Sequence, residues 1–179
     1  MSNYRTIKEY REDRKVLGRE RFLTSYPWPV LLMPNSATDP KPTDAVSAGF
    51  MTKFQGGPTT PGGAPAKKPA LVPVESFLVI PVVKNEGRPF PDRIGVGRTK
   101  GTDITLLDRD VSKYHGYFSI AGVVWSFTDV GSSNGTFIRG ERLTAMTPTP
   151  VDDGMEIGFG NGRYVFRSST TFCDVICAS

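Results

Sequence analysis

Short strand-like runs, separated by turn residues, fill the chain from residue 77 almost to its end. The sequence reads FLVIPVV, IGVG, ITLL, YHGYFSIA, VVWSFTDV, GTFIRG, MEIGFG and RYVFRS, and Gly, Asn, Asp or Pro bounds these runs. Such mixtures of β-branched and aromatic residues are typical of strands. The tripeptide GNG at 160–162 predicts a hairpin, because Asn and Gly both tolerate positive φ. Because no helical pattern interrupts the runs, they predict an all-β sandwich or barrel.

The residues before this region differ in character. Residues 3–24 are charged with interspersed apolar positions and no proline, which predicts a helix. Residues 25–34 (SYPWPVLLMP) end this helix with an apolar stretch suited to packing within the chain or, as the alternative, to binding a partner. Residues 35–71 are rich in Pro, Gly, Thr, Ala and Lys, which predicts a flexible linker. We therefore divide the chain into an N-terminal helical segment (1–34), a linker (35–71), a β domain (72–169) and a C-terminal tail (170–179).

Charge and cysteine content narrow the classes of partner. The net charge of +4 mildly favours anionic partners but falls well short of what a nucleic-acid-binding protein shows. Cys173 and Cys177 have no histidine neighbours, so they predict two reduced thiols and no zinc site. The start of the chain lacks an apolar signal core, and the run at 27–34 is too short to span a bilayer. We expect a soluble cytoplasmic protein that binds neither nucleic acid nor membrane.

Two stretches resemble enzyme motifs without meeting their requirements. Ser112 and His115 are three residues apart, but no nucleophile elbow or orienting carboxylate motif accompanies them, so a serine hydrolase is a minor alternative. Residues 95–102 (GVGRTKGT) match the spacing of neither phosphate-binding loop, and a strand follows them. The single histidine argues against a histidine-based metal site. We expect no catalytic activity, metal or cofactor.

Three turns before or after strands carry motifs that become informative together. They are GR at 97–98, SKYH at 112–115 and SNGT at 133–136. This set closely resembles the forkhead-associated (FHA) domain, whose hallmark pieces are G-R, S-x-x-H and N-G in this order. The motifs span about 94–143, and the strand pattern extends the resemblance to 72–169. The resemblance implies a β-sandwich of short antiparallel strands that binds phosphothreonine peptides through loops at one end.

By this resemblance, Arg98, Ser112 and Lys113 hold the phosphate. The chemistry suits the role, because phosphothreonine carries about −1.5 to −2 charges and three acceptor oxygens. Arg98 offers a planar fork of donors, and Ser112 adds a short hydroxyl. Lys113 stands where the family often has arginine, which keeps the charge but weakens bidentate geometry.

The resemblance also implies that the third turn binds the main chain of the ligand. Asn134 hydrogen-bonds the peptide beside the phosphothreonine, with Ser133 next to it and Gly135 supplying a conformation that other residues resist. Gly97 and His115 support the binding loops from within, and His115 is expected to be buried. The residues that select the flanking positions stay open, with nearby candidates at Lys100, Asp103, Arg109 and Asp110.

These observations predict a non-catalytic phosphothreonine-binding adaptor in Ser/Thr-kinase signalling. An alternative is a structural assembly subunit that docks through its N-terminal helix while the sandwich binds an unphosphorylated partner. In a further interpretation, the N-terminal segment binds a second protein, which makes the adaptor bivalent. The linker offers a self-ligand in the form of a phosphorylated Thr43, Thr59 or Thr60.

Overall fold

The computed structural model describes residues 4–34 and 77–177. The predicted linker, including Thr43, Thr59 and Thr60, lies outside the described residues, so its properties stay predictions. The proposed boundaries at 34 and 72 lie beside or within the same stretch. They stay predictions for the same reason.

Two sheets face each other in the described part of the chain. The larger sheet has the order β1-β3-β2-β12-β11-β8-β9, and the smaller has the order β10-β7-β6-β4-β5. All neighbours pair antiparallel except β4 and β5, which are parallel. The strands are β1 (Arg5–Thr6), β2 (Val30–Pro34), β3 (Phe77–Pro81), β4 (Ile94–Gly97), β5 (Ile104–Thr105), β6 (Gly116–Ala121), β7 (Val124–Asp129), β8 (Thr136–Ile138), β9 (Glu141–Arg142), β10 (Thr149–Pro150), β11 (Glu156–Phe159) and β12 (Gly162–Arg167).

Aromatic side chains from both sheets fill the space between them. Phe118 of β6 packs edge-on against Phe127 of β7 with ring centroids 4.9 Å apart, and Phe127 meets Phe159 of β11 at 5.1 Å. All three rings are fully buried. Since side chains alternate along a strand, Tyr117 points to the opposite, outer face. The predicted all-β sandwich with an N-terminal helix is confirmed.

The apolar stretch after the helix forms an interior strand of the larger sheet. β2 lies between β3 and β12, with Leu31 opposite Ile80 on one side and Phe166 on the other. Leu31 and Leu32 are buried. Their apolar surface is therefore used within the chain. Deleting residues 1–34 would remove a central strand, so such a truncation would not isolate a docking function of this segment.

Two helices cover one region of the larger sheet. Helix α1 (Ile7–Ser25) is interrupted at Gly18, whose φ of 75° is accessible to glycine. Helix α2 (Ser169–Cys177) occupies the segment assigned above to a C-terminal tail. It forms because Phe172 and Ile176, four positions apart, pack with Tyr10 and Phe22 of α1 in a second buried cluster.

Neither helix among residues 4–34 and 77–177 has the length and apolar content needed to cross a bilayer. Cys173 is buried in α2, Cys177 is exposed, and both are free thiols.

Candidate functional site

Strand register brings the three motif-bearing turns to one end of the smaller sheet. Val96 near the end of β4 pairs with Gly116 at the start of β6, and Gly116 pairs with Asp129 at the end of β7. The turns that follow β4, precede β6 and follow β7 therefore leave the sheet side by side. Residues far apart in sequence meet there because β4 and β7 both end where β6 begins.

The first two turns are joined through their backbones. The N–H of Arg98 donates to the carbonyl of Ser112 at 2.9 Å, and the N–H of His115 donates to the carbonyl of Val96 at 2.8 Å. The hydroxyl of Thr99 donates to the carbonyl of Lys113 at 3.0 Å. These bonds fix the position of Arg98 relative to Ser112.

Glycine at position 97 permits this close approach. A Cβ atom there would lie 2.3 Å from the carbonyl oxygen of Lys113, far inside van der Waals contact. Position 97 requires glycine because of this lack of space, and not because of its backbone conformation. Gly97 thus lies where the two turns approach each other, and its support of the binding loops stays a prediction.

A pocket of about 380 Å³ lies between the three turns. Its size falls within the usual range for ligand sites. The residues that line it are Arg98, Arg109, Asp110, Val111, Ser112, Lys113, Tyr114, Ser133 and Asn134. The pocket therefore brings together five of the six residues predicted to bind phosphopeptide, and the sixth, Gly135, follows Asn134 directly.

Three cationic side chains line the pocket. Arg98, Arg109 and Lys113 are all exposed. Within residues 4–34 and 77–177, none of their side chains makes a hydrogen bond or ion pair. Their donors are therefore available to an anion. Arg109 comes from the set of nearby candidates, whereas Lys100 and Asp103 do not line the pocket.

Ser112 and Asn134 are each oriented by one hydrogen bond. The hydroxyl oxygen of Ser112 accepts the N–H of Ser133 at 3.1 Å, which leaves the hydroxyl proton for a ligand. The amide nitrogen of Asn134 donates to the carbonyl of Asp110 at 2.9 Å. Its amide oxygen meets no donor among the described residues and can accept a main-chain N–H of a ligand.

Gly135 holds the third turn in a conformation reserved largely for glycine. Its φ is 81°, and a Cβ atom would lie 2.5 Å from Nε of Arg142. Its carbonyl accepts the N–H of Gly160 at 3.1 Å. Arg142 is a neighbour that the sequence analysis does not single out, because it approaches from β9.

A buried carboxylate organises the third turn from below. One oxygen of Asp129 accepts the N–H groups of Gly131 and Ser132 at 2.8 and 2.7 Å. The other accepts the hydroxyls of Ser132 and Thr136, both at 2.6 Å. Burial raises the pKa of Asp129, but these hydrogen bonds outweigh it and leave the pKa lowered. Asp129 is not among the residues predicted from the sequence, although an Asp two and three residues before N–H donors is a turn signal.

His115 lies beneath the loops and is fully buried. Its Nδ1 accepts the backbone N–H of Ser112 at 3.2 Å, which assigns the proton of the neutral ring to Nε2. Nε2 lies 3.8 Å from an oxygen of Asp129, and the ring meets Phe159 edge-on at 5.5 Å. Because the hydroxyl of Ser112 does not bond the imidazole, the two residues are not arranged as nucleophile and base.

We expect the stability of the protein to fall between pH 7.5 and 5.5 because of this one histidine. Burial lowers the pKa of His115, and the Asp129 carboxylate offsets only part of that shift. The unfolded chain then binds the proton more readily, so stability is lost as pH falls below the unfolded value of about 6.5. The loss in the free energy of unfolding by urea should not exceed about 1.4 kcal/mol at pH 5.5.

The His115→Gln variant provides the control for this pH effect. It should be less stable at every pH but should lose the difference between pH 7.5 and 5.5, because His115 is the only histidine in the chain. An unchanged difference in the variant would assign the pH dependence to another group.

A fourth loop supports the pocket, and its role is not evident from the sequence. The β11–β12 hairpin brings Asn161 to the carboxylate of Asp110 in a short hydrogen bond. A Cβ atom at Gly160 would lie 2.8 Å from the carbonyl oxygen of Asp110. The GNG hairpin thus lies against the binding turn that carries Asp110. Asp110 lines the pocket, and its carboxylate accepts this hydrogen bond from Asn161.

Comparison with known proteins identifies a family that matches the middle of the chain. The family described as FHA domain matches residues 94–160. Over 110 residues, the chain is 31% identical to the oxoglutarate dehydrogenase inhibitor of Corynebacterium jeikeium, covering 60% of this chain and 74% of that protein. Over 94 residues it is 32% identical to the glycogen accumulation regulator GarA of Mycolicibacterium smegmatis, covering 51% and 58%.

A solved structure is similar to part of the chain. The structure of Mycobacterium tuberculosis EmbR in complex with a low-affinity phosphopeptide aligns with a TM-score of 0.40 and 26% identity, covering 43% of this chain and 20% of that one. The family match includes all three motif-bearing turns, and the corynebacterial relative extends the similarity beyond it. On this sequence similarity, the chain belongs to the family of FHA-domain proteins.

Proposed function

We propose that this protein is a non-catalytic adaptor that binds threonine-phosphorylated proteins in Ser/Thr-kinase signalling. The observation that carries the proposal is the pocket in which Arg98, Lys113 and the hydroxyl of Ser112 converge beside Asn134. Clustered cations that have no partner in the part of the chain that the structure describes fit a group that carries about two negative charges and three acceptor oxygens. The pocket offers charge-assisted hydrogen bonds that an unphosphorylated threonine cannot use.

Each residue has a defined part in this proposal. Arg98, Ser112 and Lys113 hold the phosphate, while Asn134 receives a main-chain N–H beside the phosphothreonine. Ser133 helps to orient Ser112 through its own N–H, at 3.1 Å from the hydroxyl oxygen. Gly97, His115 and Gly135 act on the ligand only through the turns they shape.

The relatives support a regulatory role. One is described as an inhibitor of oxoglutarate dehydrogenase and another as a regulator of glycogen accumulation. We infer that this chain likewise acts by binding another protein, and that the phosphorylated partner is an intracellular one. The two free thiols are consistent with a reducing compartment such as the cytoplasm.

Arg98→Ala should weaken binding of a phosphothreonine peptide about 10- to 150-fold. The estimate corresponds to losing a charged hydrogen-bond partner, about 1.5–3 kcal/mol. Isothermal titration with matched phosphothreonine and threonine peptides, drawn from a phosphopeptide library screen, measures it. Lys100→Ala is the matched control, because it removes one positive charge two residues away at a side chain that does not line the pocket.

The comparison has three informative outcomes. The proposal expects strong binding only with the phosphorylated peptide and near-normal binding by Lys100→Ala. Equal binding of both peptides, with no effect of Arg98→Ala, would reject phosphate recognition. Equal losses in the two variants would show that net charge alone, and not the geometry at Arg98, drives binding.

A further inference from the structure

Phe90 is an exposed aromatic residue held in an unusual backbone conformation. Its φ is 59°, in the left-handed region that bulky residues rarely adopt, and 57% of its surface is exposed. Pro89 and Pro91 flank it and restrict the chain on both sides. The N–H of Arg93 closes the turn on the carbonyl of Phe90 at 3.0 Å. The fold thus presents this ring to solvent at a conformational cost, which argues for a use.

Arg93 connects Phe90 to the outer face of the smaller sheet. Its guanidinium carbon lies 5.4 Å from the centre of the Phe90 ring and 4.6 Å from that of Tyr117. Both distances fall within the range of cation–π contact. The side chain of Arg93 also pairs with Asp92 at 3.5 Å and remains 41% exposed. The guanidinium therefore contacts both aromatic rings while its side chain stays partly accessible.

Tyr114 lies between the outer face of the smaller sheet and the pocket. Tyr117 pairs with Gly95 across β4 and β6. The ring of Tyr114 lies over Gly95, where a Cβ atom would come within 2.9 Å of the ring carbon Cε2. Tyr114 also lines the pocket and is 42% exposed. We call Phe90, Arg93, Tyr114 and Tyr117 the aromatic–arginine face. Tyr114 makes it continuous with the pocket.

We propose that the aromatic–arginine face binds an apolar side chain of the same phosphorylated partner, several residues along its chain from the phosphothreonine. The inference rests on the proposed function, because continuity through Tyr114 is what assigns the occupant to the polypeptide in the pocket. Exposed rings offer apolar contact area to an aromatic or aliphatic side chain. The arginine and the tyrosine hydroxyls offer hydrogen bonds to the main-chain carbonyls beside it.

Other exposed apolar residues do not share these features. Val123 is 91% exposed at the β6–β7 hairpin, and single exposed apolar side chains are ordinary on protein surfaces. The hairpin lies at the end of β6 opposite Gly116, where the binding turns begin. Val123 is therefore distant from the pocket along the strand and serves as a matched control.

The test uses the full chain and a panel of synthetic phosphothreonine peptides. The parent peptide has one phosphothreonine in an alanine–glycine–serine spacer. Each other peptide carries a single phenylalanine or leucine, placed three to ten residues before or after the phosphothreonine. Fluorescence anisotropy should show an affinity gain of about five- to tenfold at a few adjacent positions on one side, as expected for burying part of one large apolar side chain.

Phe90→Gly is the diagnostic variant. Glycine adopts a φ near 60° freely, so the unfolding midpoint should not fall below that of the wild type. The affinity gain from the apolar residue should disappear, while the parent peptide binds as tightly as before. Val123→Ala should change neither affinity.

The possible results separate the inference from the proposed function. If no position gives a gain, or if the gain survives in Phe90→Gly, the inference is wrong while phosphothreonine binding stands. If the parent peptide does not bind the wild type, both are wrong. Sedimentation of the protein without peptide tests whether a second copy of the chain occupies the aromatic–arginine face. Concentration-dependent dimers that Phe90→Gly abolishes would assign the face to a second copy and contradict the inference.

Discussion

Gly97→Ala is expected to lower the free energy of unfolding by about 3 kcal/mol and to abolish phosphothreonine-peptide binding. A methyl group at this position would lie 2.3 Å from the carbonyl oxygen of Lys113 and 3.0 Å from the Thr102 side chain. Backbone atoms cannot yield as a flexible side chain would, so the two turns must separate. Separation breaks the bond from Arg98 to the carbonyl of Ser112.

Gly101→Ala is the matched control for this variant. It lies in the same turn, and the nearest atom to a Cβ there is the Thr99 hydroxyl at 3.8 Å, an ordinary contact. Urea unfolding and peptide titration of the two variants should therefore differ sharply, with Gly101→Ala close to the wild type. A Gly97→Ala protein that folds and binds normally would show that the close approach of the two turns is not required.

Asp129→Ala should cost about 3–5 kcal/mol of folding free energy and disorder the turn that carries Asn134. The change leaves two N–H groups and two hydroxyls without their acceptor in a buried place. Asp129→Asn should cost less. Its amide oxygen can accept the two N–H groups, and its nitrogen can donate to the hydroxyl oxygens of Ser132 and Thr136.

Chemical denaturation measures both substitutions, with Asp152→Ala as an exposed control. The direction in which folding stability changes with pH provides a second test of the role of Asp129. Because the pKa of Asp129 is lowered in the folded state, its stabilisation is present above the unfolded value of about 3.9 and is lost as pH falls through the folded value. A cost of Asp129→Ala no larger than that of Asp152→Ala would show that the network contributes little.

Local sequence is sufficient to predict most strands after residue 77 and the turn motifs. Period-two runs and turn residues mark β6, β7 and the β11–β12 hairpin, and the three motifs lie where strands begin or end. Strand order along the chain does not determine which strands pair. The sequence therefore predicts the residues of the pocket through resemblance, while the structure supplies the register that joins Val96, Gly116 and Asp129.

The parts that were not predicted depend on long-range contacts. The apolar run containing Leu31 and Leu32 indicates packing within the chain or binding to a partner, but its sequence does not reveal that it is a strand. Only pairing with β3 and β12 makes it one. Helix α2 is short, and it is stabilised by packing on α1. Asn161 and Arg142 reach the binding turns from distant strands. No local pattern signals such approaches.

Residue-resolved NMR of the ¹⁵N-labelled chain during titration with a phosphothreonine peptide tests the central claim most directly. The account predicts chemical-shift changes concentrated at the amides of Arg98, Ser112, Ser133 and Asn134, with none caused by the unphosphorylated peptide at the same concentration. Changes centred on α1 or on the hairpin at Val123, or the same changes with the unphosphorylated peptide, would contradict it.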